Sequence, residues 1–203
     1  IYYELPELPE SAEVTLTIRD AAGATVRTYS SKPDSSYQDY EGAPPRERVL
    51  PAKKGLNRLV WDLRYPMLPG APEVYIEGSF RGHKAVPGTY TVVLEAGGQP
   101  LSTSAAILPN PRIPTTPAQF SDYHTFMASA EAAYRDMTEI TNRMHGMHLR
   151  LKEVMKHLEA MGHKAQFEEA RELSDALEAW DKTMVQRLSK AYDDVENFVN
   201  GFT

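Results

Sequence analysis

The chain has 203 residues, a net charge of −6 and no cysteine. That length holds one large domain or two small ones. The acidic balance, with no basic block, argues against a nucleic-acid partner, whose phosphates need a basic surface. The missing thiols exclude disulfides, Cys-ligated zinc and thiol catalysis, and no apolar run approaches the ~18 residues of a membrane span.

The chain opens Ile1-Tyr2-Tyr3, with no initiator Met and no signal-peptide pattern, so it is expected to be a piece cut from a longer protein. Val14, Leu16 and Ile18 then alternate with Thr15, Thr17 and Arg19, the period-two signature of a half-buried strand. Asp20-Ala21-Ala22-Gly23 turns the chain, and Ala24 to Tyr29 returns as a second strand. A long loop, Ser30 to Pro51, carries Tyr37 and Tyr40.

In "GLNRLVWDLRYP" the residues Leu59, Trp61, Leu63 and Tyr65 alternate with Arg58, Val60, Asp62 and Arg64. A strand here sends the aromatic face to the core and leaves Asp62 and Arg64 on the surface as ladder residues. A second long loop, Pro66 to Pro87, carries Met67, Leu68, Val74, Tyr75, Ile76 and Phe80. Apolar loops on a sandwich either fold over their own core or form a contact surface. The candidate interdomain or ligand contacts are therefore Tyr37, Tyr40, Met67, Tyr75 and Phe80. Tyrosines in such loops also suit stacking on sugar rings, which is the carbohydrate-module alternative. Tyr90, Val92 and Leu94 alternate next, Gly97-Gly98 gives a two-residue hairpin turn, and Leu101 to Leu108 completes the pair. Short strands joined by Gly/Pro turns, with no helix between them, predict an antiparallel β-sandwich over residues 1–108.

Proline marks the boundary. All 15 prolines lie at or before Pro117, and a helix interior excludes them. Residues 109–116 form a Pro-rich linker, and residues 117–203 are free to be a long helical hairpin. Thr116-Pro117-Ala118-Gln119 has the order of a capping box with Pro at the first helical position. Apolar residues then recur at spacings of three or four from Phe120 to Met161, and Gly162 stands where a helix-terminating glycine belongs. A second run follows: Phe167, Ala170, Leu173, Leu177, Trp180, Met184, Leu188, Ala191 or Tyr192, Val195, Phe198 and Phe202. The short turn makes the two helices antiparallel. Tyr134, Trp180 and Tyr192 fall near the edges of the stripes, so a further surface is expected to cover them: the sandwich, an upstream domain or a second copy. Gly146 is a candidate break in the first helix.

Met144-His145-Gly146-Met147-His148 is the densest chemical cluster. Two histidines at i, i+3 beside thioethers can share a soft metal, but the methionines lie on the helix seam as gap-fillers, and no carboxylate completes a ligand set. His83, His124, His157 and His163 read as surface or edge residues. No nucleophile elbow, P-loop or HExxH is present. The residues give no catalytic site, no metal site and no cofactor.

"GLNRLVWDLRYP", then "AVPGTYTVVLEAGGQPLSTSAAILPNPR", then a long helical segment resembles the C-terminal region of bacterial exported proteins with sortilin-like (VPS10/BNR-type) β-propellers, often labelled glycosyl hydrolases. The front half is also similar to the Ig-like domain of the flagellar-hook-cap type. The resemblance implies an Ig-like sandwich, an upstream propeller in the same parent chain, and a secreted or periplasmic location. The hydrolase label rests on Ser-x-Asp-x-Gly-x-Thr-Trp propeller repeats, and none occurs here. The expected role is a non-catalytic accessory segment that packs against the propeller or dimerises through its helices.

Overall fold

The computed structural model describes residues 1–75 and 78–187. Six strands and two helices follow in order: β1 Tyr2–Leu5, β2 Val14–Arg19, β3 Thr25–Ser30, β4 Gly55–Arg58, β5 Gly88–Ala96, β6 Gln99–Ile107, α1 Pro117–Ala160 and α2 Lys164–Met184. Strands β1 and β4 form an antiparallel two-stranded sheet, and β3-β2-β5-β6 form an antiparallel four-stranded sheet.

The expected alternation holds in β2, where Val14, Leu16 and Ile18 are fully buried. Tyr3 and Leu5 of β1 join them in one apolar cluster with Tyr29, Leu50, Leu59, Tyr90 and Val92, so both sheets feed the same core. The β2–β3 turn is tied by Asp20, whose Oδ1 accepts the N–H groups of Ala22 and Ala24 at 2.9 and 2.8 Å. The β5–β6 turn places Gly97 and Gly98 at φ 61° and 83°. A two-residue turn that matches strand twist needs both central residues at positive φ, which glycine supplies without a Cβ clash.

The segment after Arg58 departs from expectation. Strand β4 stops there, and Leu63 turns to φ 58° with its side chain exposed. Leu59 is buried, and Trp61 and Tyr65 pack on the core. The period-two reading thus placed three of the four apolar residues correctly but missed the turn at Leu63. Strand β1, also missed, pairs with β4, and the Ile1 backbone nitrogen donates to the Leu59 carbonyl at 2.9 Å.

The chain forms two compact units. One comprises residues 1–38, 45–68 and 81–131. The other comprises 39–44, 69–80 and the chain from Ala132 onward. Parts of both long loops thus group with α1 after Glu131 and with α2.

Helix α1 begins at the predicted capping box. Gln119 N–H donates to Thr116 Oγ1 at 3.3 Å, and Thr116 N–H donates to Gln119 Oε1 at 2.8 Å. It runs through Gly146 without a break. Gly162, at φ 71°, ends it, with His163 N–H donating to the Leu158 carbonyl at 3.0 Å in the manner of a Schellman motif. Helix α2 returns antiparallel: Ser174 Oγ lies 3.3 Å from His148 Nδ1, residues equidistant from Met161. It ends at Met184, because Val185 is extended. The later part of the predicted run, Leu188 to Phe202, lies outside the described residues.

Candidate functional site

Three groups of side chains stand out, and the first resolves Asp62. A register shift beside Ile18/Arg19 leaves both Val26 and Arg27 of β3 buried. The Arg27 guanidinium donates to both carboxylate oxygens of Glu47 at 2.9 and 2.7 Å, to Asp62 Oδ1 at 3.2 Å and to the Tyr65 carbonyl at 3.2 Å. It also lies 5.1 Å from the Tyr29 ring centroid. A buried guanidinium has to be paired, and its planar fork matches a carboxylate. Asp62 is therefore the half-exposed partner of a buried cation rather than a surface ladder residue. Arg64 likewise turns its guanidinium onto the Gly82 carbonyl at 2.8 Å.

The second group gathers around His83, which is 3% exposed rather than a plain loop residue. Glu131 Oε1 accepts the His83 backbone N–H at 2.6 Å and lies 3.0 Å from the ring Nδ1, off the line of a ring hydrogen bond. On the other side His83 Nε2 lies 3.0 Å from His124 Nδ1. Tyr65 stacks on the His83 ring with centroids 4.1 Å apart, and Tyr123 meets it edge-on. Burial pushes the Tyr65 phenol up to about 12, with smaller contributions in the same direction from Tyr90, Asp20 and Glu131. The Glu131 carboxylate on the His83 backbone and the His83–His124 contact join the loop before β5 to the first turns of α1. Both ring nitrogens of His83 face these neighbours, and the stacked phenol covers one face of the ring. Sequence separation hid this group: His83 and Glu131 are forty-eight positions apart, and neither falls in a motif.

The third group lies on α1 and departs in part from its expected amphipathicity, since Tyr134, Met144, Leu151 and Leu158 of the predicted stripe are half-buried but others of it are exposed. Polar Thr138, Thr141 and His148 are buried, while Met137, Ile140, Met147 and Val154 are each at least 41% exposed. Within the Met144–His148 cluster, His148 goes inside toward Ser174 while Met147 faces out, the reverse of seam methionines flanked by surface histidines. Desolvation, reinforced by the Arg187 cation, holds the His145 imidazolium below its ordinary range. Arg187 itself clasps Asp181 through two hydrogen bonds at 2.6 and 2.8 Å and donates to the Pro72 carbonyl. Asn142 Nδ2 donates to the Gly70 carbonyl at 2.9 Å, so polar contacts from loop 69–80 occupy this side of the hairpin.

The five loop residues named from sequence divide between the compact units. Tyr37 lies under the Arg46 guanidinium, 4.4 Å from its ring centroid, and the Met67 N–H points to Glu47 Oε1 at 3.5 Å, both in the first unit. Tyr40 and Phe80 flank Gly70 in the second unit, where Tyr75 is 42% exposed. An open recess of about 360 Å³ in the first unit is lined by Glu13, Thr28, Ser30, Lys32, Asp34 and Glu47, among others. Its lining ring, Tyr29, is buried and offers no stacking face. Among the described residues, no set of three or more His, Asp and Glu side chains is placed to hold a metal ion, and no helix is long and apolar enough to cross a membrane. No family model, curated protein or solved structure matches the chain.

Proposed function

We propose that this chain is a non-catalytic accessory segment of a larger exported β-propeller protein. In this reading the paired sheets are an Ig-like sandwich, and the helical hairpin mediates packing against the propeller or dimerisation. The observation that carries the reading is the exposed apolar column of α1. A helix that buries threonine and histidine while presenting Met137, Ile140, Met147 and Val154 to water lacks the partner its composition calls for. The three ionic groups support the same view. The two terminal nitrogens of Arg27 are held by carboxylates and carbonyls, His83 is sealed under Tyr65, and Arg187 is clasped by Asp181. Each ties chain segments together and none opens a reactive atom to a cleft.

The role is tested by light scattering on this chain with and without the upstream domain. Mass above the monomer, or a complex with the added domain, that is lost on Ile140→Glu fits the proposal. A chain that stays monomeric and ignores the upstream domain refutes it. Retention on a polysaccharide affinity gel would favour the carbohydrate-module alternative instead.

A further inference from the structure

Resting on that reading, we infer that the partner of the α1 column is a second copy of this chain, packed antiparallel along α1. The column is a heptad repeat. Phe126, Ala133, Ile140, Met147 and Val154 recur every seven residues, and so do Ala130, Met137, Met144, Leu151 and Leu158, all within α1. A strict seven-residue apolar repeat sustained over more than four heptads is the pattern of a coiled coil, not of a helix lying on a globular core. The first series is exposed at every position. Of the second, Ala130 and Met137 are exposed, and Met144, Leu151 and Leu158 are half-buried.

Volume chooses the direction. In a parallel pair each residue meets itself, so Ala130 and Ala133 would leave two thin layers next to an overfull Phe126 layer. In an antiparallel pair with its two-fold axis at Asn142, the layers become Phe126–Leu158, Ala130–Val154, Ala133–Leu151, Met137–Met147 and Ile140–Met144. Every alanine then faces a branched aliphatic residue, and the layers approach the even filling that protein interiors require.

Charge agrees. From Pro117 to Ile140 the helix carries Asp122, Glu131, Asp136 and Glu139 against Arg135. From Thr141 to Ala160 it carries Arg143, Arg150, Lys152 and Lys156 against Glu153 and Glu159. Antiparallel packing lays the acidic half on the basic half and sets Asp136 opposite Arg150 at both ends. One like pair, Arg143 with its own copy, falls near the axis, and Glu139 one turn earlier in the favourable i, i+4 order offsets it.

Sedimentation equilibrium on the whole chain from micromolar to hundreds of micromolar, with cysteine pairing, tests this. A monomer–dimer equilibrium is expected, and Ile140→Glu and Met147→Glu should each weaken it by ~100-fold or more, because a lone charge is forced into an apolar layer. Both sites are already half-exposed, so helical circular dichroism should not change. The native chain has no thiol, so introduced cysteines report orientation without background. Phe126→Cys mixed with Leu158→Cys should form the mixed disulfide dimer, and neither alone should cross-link. Self-cross-linking of Phe126→Cys, or a dimer indifferent to both glutamates, overturns the inference. A chain that is monomeric throughout but binds the upstream domain through Ile140 also overturns it, while leaving the accessory role standing. A monomer that binds neither ends both.

Discussion

Glu131 Oε1 holds the backbone N–H of His83 at 2.6 Å and lies 3.0 Å from its ring nitrogen, joining the helix to the loop before β5. Removing the carboxylate leaves a buried donor without a partner, which costs about 1–3 kcal/mol. Glu131→Ala should therefore lower the urea midpoint clearly. Glu131→Gln keeps an acceptor oxygen and should lower it less. Equal losses would show that charge, not the hydrogen bond, matters here.

Arg27 gives a graded expectation. Both oxygens of Glu47 accept from Arg27 Nη2, and Asp62 Oδ1 accepts from Nη1 at 3.2 Å. Both carboxylates are more than two-fifths exposed, which moderates the cost of losing either. Glu47→Ala should destabilise by about 1–3 kcal/mol in chemical denaturation, as expected when a charged hydrogen-bond partner is lost, and Asp62→Ala by less. An Asp62→Ala loss exceeding that of Glu47→Ala would contradict the geometry.

Three glycines separate steric need from helix propensity. A Cβ on Gly82 would lie 2.5 Å from the Pro66 carbonyl oxygen and 2.6 Å from that of Tyr65, backbone atoms that cannot rotate away. A Cβ on Gly70 would strike Tyr40 Oη and Pro44. A Cβ on Gly146 meets nothing within 4 Å. Gly82→Ala and Gly70→Ala should lower the melting temperature. Gly146→Ala should raise stability by about 0.5–1 kcal/mol, the helix cost of glycine.

The pH profile should fall on both sides. Burial raises the phenols of Tyr3, Tyr29 and Tyr65 from 10.0 to about 12. Above pH 10 the unfolded chain loses these protons first, so stability should decline from pH 10 towards 12. His145 is shifted the other way, first by burial and then by Arg187. Below the ordinary histidine value of 6.5 the unfolded chain takes up this proton first, so stability should decline as pH falls through 6.5. Melting temperature measured against pH checks both. His145→Gln should flatten the acid side only.

Local signals carried the sheet and the helix ends. Alternation placed β2, β3 and β5, paired glycines placed the β5–β6 turn, and Thr116, Gln119 and Gly162 bounded α1 as written. Strand β1 was too short to announce itself, since its reason for existing is pairing with β4 far along the chain. The turn at Leu63 hid inside an apolar alternation, because periodicity reports side-chain character and not backbone angle. The links from Arg27 to Glu47 and from His83 to Glu131 are long-range, and nothing local encodes them. On α1 the heptad was visible, but the buried side is decided by loop 69–80 and by α2, which supply partners for Asn142 and His148.

Alkylation of a single introduced cysteine tests the central claim, that the α1 column is a protein contact surface, most directly. Ile140→Cys, half-exposed in the lone chain, should react at least ~10-fold more slowly than Lys152→Cys once the chain is concentrated enough to associate or is joined to the proposed upstream domain, as occlusion of an apolar contact requires. Equal rates at both positions under both conditions would contradict it.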